Sequence, residues 1–142
     1  MTFRRALAVA LLSWVFMPTW CLAEPPSLTV KINGALPATG NVEVSVFNSA
    51  ETFMKTTYLQ RSGKVSEDGS WSTEFASLEE GEYAVVVVHD ANENRRLDNG
   101  LFGFGGERYG LSNNAWALFG RPDFDDARIS VTGPVEITID LD

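Results

Sequence analysis

Residues 83–88 read Tyr-Ala-Val-Val-Val-Val without a polar interruption, and no other stretch constrains the fold as much. A strand covered on one face alternates apolar with polar residues. An unbroken apolar run of strand length calls for cover on both faces, so this run is expected to be the central strand of a sheet. Glu80-Gly81 supplies the turn before it. In the stretch Leu78-x-x-Gly81-x-Tyr83-x-Val85, the Tyr83 ring can be buried while its hydroxyl returns to backbone.

The flanking segments alternate instead. Ser27–Asn33 puts Leu28, Val30 and Ile32 on one face, and 42–47 repeats the pattern after a Gly40-Asn41 turn. Residues 50–58 read as a loop or bulge, and 58–61 as a short edge strand. Asp68-Gly69 forms a hairpin-type turn into Trp71–Phe75. Strands over 127–131 and 135–141, separated by Gly133-Pro134, close the domain. This spacing predicts an all-β fold: a single seven-stranded β-sandwich. No internal repeat or second domain interrupts it.

After His89 the chain reads Asp-Ala-Asn-Glu-Asn-Arg-Arg-Leu-Asp over residues 90–98. Calcium takes about six to eight oxygens, and alternate residues of a curled loop can aim theirs at one point. Asp90, Asn92 and Asn94 would give side-chain oxygens, Arg96 its carbonyl, and Asp98 a direct or water-bridged oxygen. Unlike an EF-hand loop, this one has Arg95 where the sharp turn wants glycine and Leu101 where a bidentate glutamate would sit. A further acid must close the shell, from Glu107, Asp123, Asp125 or Asp126. The competing reading is a metal-free, Asx-turn-rich loop.

Residues 99–124 are an exception to the short connections. This stretch holds six glycines and the aromatics Phe102, Phe104, Tyr109, Trp116, Phe119 and Phe124. So long a loop in a small domain is either functional or packed on itself. Part of it has a helical apolar pattern, with Ser112 as N-cap, Ala115, Trp116, Leu118 and Phe119 inside, and Gly120 and Pro122 as the stop. These aromatics are expected to fold inward and cap one end of the sandwich. The alternative is a glycan- or peptide-binding module that uses Tyr109, Trp116 and Phe119 as its platform.

Enzymatic chemistry has little to stand on. His89 is the sole histidine, and no nucleophile-elbow signature surrounds any serine. A hydrolase pairing His89 with Ser112, or an acid/base pair drawn from Asp123, Asp125 and Asp126, ranks below a buried structural histidine and solvated or metal-linked acids. The glycines at 100, 103, 105 and 106 lack the Lys-Ser/Thr of a phosphate loop. The chain reads as no enzyme.

The first 23 residues have the form of a signal peptide. Arg4 and Arg5 precede the apolar run 6–17, Pro18 breaks it, and Cys21-Leu-Ala23 presents small residues to a cut before Glu24. The run is too short for a membrane span, which takes about 20 apolar residues. The expected product is a secreted or periplasmic domain over 24–142, without a disulfide, since Cys21 is the only cysteine. Of 11 basic and 19 acidic residues the leader holds two and none, which leaves a net −10. Such a charge argues against nucleic acid and anionic lipid as partners and suits divalent cations. An unidentified ligand or envelope partner remains.

The run Gly81 to Asp90 with Asn92, Asn94 and Asp98, then Glu107-Arg-Tyr-Gly-Leu-Ser-Asn-Asn114, Pro122, Phe124, Asp126 and Ala127, resembles the bacterial exported family known as domain of unknown function 2141. The resemblance covers essentially the whole segment after the leader. It implies an exported immunoglobulin-like or transthyretin-like sandwich with no assigned activity. Arg95 stands where a glycine is usual, and Phe104-Gly-Gly where a proline-containing turn is usual. The 90–98 loop also looks like those of bacterial adhesin sandwich repeats, where calcium stiffens a module. The reading is a non-enzymatic exported β-sandwich with a structural Ca²⁺ loop, the aromatic-loop binder second, and a hydrolase using His89 last.

Overall fold

The computed structural model describes residues 24–93, 107–116 and 122–141. Among these residues eight strands run in chain order: β1 (Ser27–Asn33), β2 (Asn41–Phe47), β3 (Leu59–Lys64), β4 (Trp71–Phe75), β5 (Gly81–Asp90), β6 (Tyr109–Leu111), β7 (Arg128–Val131) and β8 (Pro134–Asp140). A 3₁₀ turn (Ser112–Asn114) follows β6, and a four-residue helix, α1 (Phe124–Ala127), precedes β7. The protein is a β-sandwich. One sheet is ordered β4-β1-β8, and the other β3-β2-β5-β6 with β7 also on β5. All the pairings are antiparallel except β1 with β8.

Inward side chains of both sheets make one core. Leu28, Val30 and Ile32 of β1 face Val42, Val44 and Val46 of β2 and Val85 and Val87 of β5, all within 1% of full burial. The intervening residues of β5 turn the other way. Ala84 and Val86 join Phe47, Phe53, Leu111, Phe124 and Ala127 in a second apolar cluster on the outer face. The valine run is thus covered on both sides, and this is why it carries no polar alternation. Tyr83 is buried at the start of β5, and its hydroxyl donates to the Glu79 carbonyl at 2.9 Å. Burial pushes its pKa above the ordinary tyrosine value.

Two expectations change. Among the described residues the strands number eight, because Tyr109–Leu111, inside the expected loop, pairs with Val86–Val88 of β5. The Asp68-Gly69 turn is present, with Gly69 at φ +77, yet it joins strands of different sheets. The chain crosses from one layer to the other there, so β3 and β4 form no hairpin.

The far edge of β5 is shared. β7 pairs with Gly81 to Ala84, β6 with Val86 to Val88, and Val85 falls at the hand-over. Its N–H donates to Ser112 Oγ at 2.9 Å, and the Ser112 hydroxyl donates to the Ala127 carbonyl. A single buried hydroxyl therefore replaces the ladder where two strands meet one edge.

Candidate functional site

The tripeptide after β6 fastens four elements, β5, α1, β7 and β8. Ser112 ties β5 to α1, as above. Asn113, at φ 60, donates from Nδ2 to the carbonyls of Arg128 at 2.8 Å and Asp126 at 3.3 Å. Asn114, at φ 47, accepts on Oδ1 from the Asp140 N–H at 3.4 Å. Asparagine tolerates the left-handed region that most side chains avoid, which is why two in succession can stand here.

That geometry corrects the helical reading over residues 112–116, while Leu118, Phe119 and Gly120 lie outside the described residues. Ser112 lies within the 3₁₀ turn and is no N-cap, and the left-handed asparagines end the helix after three residues. Ala115 leaves in extended conformation and carries Trp116 outward. Trp116 is 72% exposed and does not cap the sandwich. The cap on this face is built by Phe124, edge-on to Phe53 at 5.8 Å, with Phe53 edge-on to Phe47 at 5.3 Å. Tyr109 is half-buried against the same cluster. Phe102, Phe104 and Phe119 lie outside the described residues.

Beside Trp116 opens a cavity of about 560 Å³, lined among the described residues by Tyr109, Gly110, Leu111, Asn114, Trp116 and Asp140. Gly110 permits the close approach of β6 to β8. A Cβ there would sit 2.5 Å from Ile139 Cγ2 and 2.8 Å from the Asp140 carbonyl oxygen. The exposed Asp140 carboxylate accepts from Asn33 Nδ2 at 3.2 Å. Reading the sequence brought Tyr109 and Trp116 to this site and missed Asn114 and Asp140. Asp140 arrives through the parallel register of β8 on β1, in which Asn33 stands beside Asp140.

The expected metal loop begins where β5 ends. Asp90 is half-buried opposite Asn41, and Asn92 is exposed in the turn that follows. Asn94, Arg96 and Asp98 lie outside the described residues. Among the described residues, no three His, Cys, Asp or Glu side chains converge. The acids offered to close the shell separate. Asp126 accepts from the Asp123 N–H at 2.9 Å at the start of α1, and Asp125 lies 3.4 Å from Arg128. Arg128 stands opposite Ala84. Asp90 is six residues farther along β5, roughly 20 Å at strand rise. Glu107 is placed differently. The His89 N–H donates to the Arg108 carbonyl at 2.8 Å, and continuing that antiparallel register brings Glu107 opposite Asp90.

His89 is fully buried. Its Nε2 donates to the Thr39 carbonyl at 2.7 Å, and its Nδ1 has no hydrogen-bond partner. Ser112 stands against Val85, four residues away along β5, with its hydroxyl committed to Val85 and Ala127. The two are not hydrogen-bonded to each other. No helix of the described residues is long and apolar enough to cross a membrane.

Over residues 30–138 the chain matches the family described as uncharacterized protein conserved in bacteria (DUF2141), and it belongs to that family. No curated protein and no solved structure matches it.

Proposed function

We propose that this family member is a non-catalytic, exported β-sandwich module that binds a glycan or peptide in the cavity beside Tyr109 and Trp116. One observation carries the reading. A large indole stands in solvent at the wall of a cavity, on a turn held to four elements by Ser112, Asn113 and Asn114. Aromatic side chains offer rigid contact area at little entropic cost when their support is rigid. A tryptophan kept for packing would be buried. Trp116→Ala should therefore change unfolding free energy by under about 0.5 kcal/mol, as surface substitutions do. A buried aromatic would cost about 3–5 kcal/mol. Denaturant unfolding separates the two, and the larger loss sinks the binding reading.

A second reading concerns the other end of β6, where Glu107 comes opposite Asp90. Carboxylate and amide oxygens gathered at the mouth of an Asn-rich loop are the ligand type that a hard cation takes. We propose calcium there, held by Asp90, Asn92 and Glu107 with Asn94, Arg96 and Asp98, in a bracing role. Glu107 and Tyr109 are two residues apart, so the ion would steady the same short strand that feeds the cavity. Calcium at a hundredfold excess over its dissociation constant stabilises by about 2.7 kcal/mol. For a domain of this size that raises the melting temperature by about 5–10 °C. The rise should vanish with chelator and in Asp90→Ala. Equal melting curves with calcium and with chelator leave the metal-free Asx-turn reading.

A further inference from the structure

We infer that the cavity beside Trp116 takes a neutral pyranose, the unit of an uncharged oligosaccharide; this rests on the binding reading above and names its ligand class. Three large apolar side chains are exposed among the described residues, Leu36, Tyr58 and Trp116. Trp116 is the most exposed of them and the one that lines this cavity. Its volume of about 560 Å³ falls within the range of about 300–1,000 Å³ typical of small-molecule sites.

The polar groups decide the chemistry. No lysine, arginine or histidine is among the described lining residues, and the one charge is Asp140. A phosphate, sulfate or uronate would meet a like charge and, among the described lining residues, no compensating cation. A cation would suit Asp140 and the indole face, but it brings no acceptor for Asn114. The Asn114 Oδ1 is taken by the Asp140 N–H, so its Nδ2 presents donors.

A sugar hydroxyl both donates and accepts. Neighbouring hydroxyls can donate to the Asp140 carboxylate, fixed by Asn33, and accept from Asn114 Nδ2. The Asn114–Asp140 link holds that acceptor and donor at a set separation. The flat C–H face of a pyranose then lies against the indole, where apolar contact and ring quadrupole both favour it.

The test uses the full chain, whose tryptophans are Trp14, Trp20, Trp71 and Trp116. The difference in emission between wild type and Trp116→Phe isolates Trp116. Maltohexaose, cellohexaose and chitohexaose are titrated beside decaproline, hexalysine and polygalacturonate, with calorimetry on the variants. The expected result is a saturable change in Trp116 emission with at least one neutral hexasaccharide. Trp116→Ala and Asp140→Ala should each weaken that binding by about tenfold or more, the loss of a stacked ring or a charge-assisted hydrogen bond.

Binding of decaproline, hexalysine or polygalacturonate alone overturns the pyranose inference and leaves the binding reading standing. Hexasaccharide binding that survives both substitutions overturns the placement of the site. Silence from all three neutral sugars also overturns the inference, and the stability of Trp116→Ala then judges the binding reading separately.

Discussion

Ser112→Ala is expected to lower the unfolding free energy by about 2–6 kcal/mol, because it strands two buried backbone groups at about 1–3 kcal/mol each. The Val85 N–H has no strand to donate to, since β6 and β7 meet the same edge of β5 on either side of it. The Ala127 carbonyl ends a helix of four residues with no continuing turn. Both are satisfied by one hydroxyl that is itself fully buried. Alanine is too small to fill the gap and cannot bond to either group. Urea unfolding of the variant beside Ser130→Ala gives the comparison, because Ser130 is an exposed position of β7 where about 0.5 kcal/mol or less is expected. A nucleophilic Ser112 would predict the reverse, with stability kept and an activity lost. Equal midpoints for the two variants would show that the junction relaxes without the hydroxyl.

The strands that were legible are those whose own side chains record their burial. β1 and β4 match their expected limits because alternation ends where the apolar face ends. The valine run of β5 announced cover on both faces, and both apolar clusters use it. β6 was illegible for a physical reason. Three residues, one of them glycine, have no period to read, and the strand exists because the free edge beyond Val85 has ladder groups to satisfy. α1 was hidden in the same way. Its acids read as a solvated or metal-linked cluster, although Asp126 serves as a capping acceptor and Asp125 faces Arg128.

The site was legible in composition and illegible in direction. Trp116 and Tyr109 stood out as aromatics in a glycine-rich stretch, but an apolar count assigns Trp116 to a buried helix face. What reversed it is the left-handed pair Asn113 and Asn114, a backbone choice that a propensity reading does not resolve. The Ser-Asn-Asn segment did stand out as a motif, and its structural meaning is a clasp on β5, α1, β7 and β8. Asn33 and Asp140 are 107 residues apart and meet only through the parallel register of β1 and β8. Tyr83 is the opposite case. Its partner Glu79 lies four residues back, so the contact could be read from local spacing.

Gly40→Ala is expected to be the most damaging conservative change near the 90–98 loop. Gly40 stands at φ +65, where an L side chain costs about 1–2 kcal/mol. Its Cβ would fall 2.1 Å from the Asp90 carbonyl oxygen and 2.6 Å from the Ala91 Cα, atoms of a backbone that cannot rotate away. Relief requires the end of β5 to move, and overpacking of that kind adds about 1–3 kcal/mol. The combined loss is about 2–5 kcal/mol, read from denaturant unfolding without calcium. Gly133→Ala is the control, because a Cβ there meets nothing within 4 Å. The displacement has a second consequence. Thr39, next in the chain, receives the His89 imidazole, and Asn41 pairs with Asp90, so this corner sets where Asp90 points. If Asp90 anchors the proposed calcium, Gly40→Ala must shrink the calcium-dependent rise in melting temperature as well as the baseline, whereas Gly133→Ala must leave both alone. A lowered baseline with an undiminished calcium shift would separate the two roles: the corner would hold the sandwich together, and the cation would be bound by residues that do not depend on it.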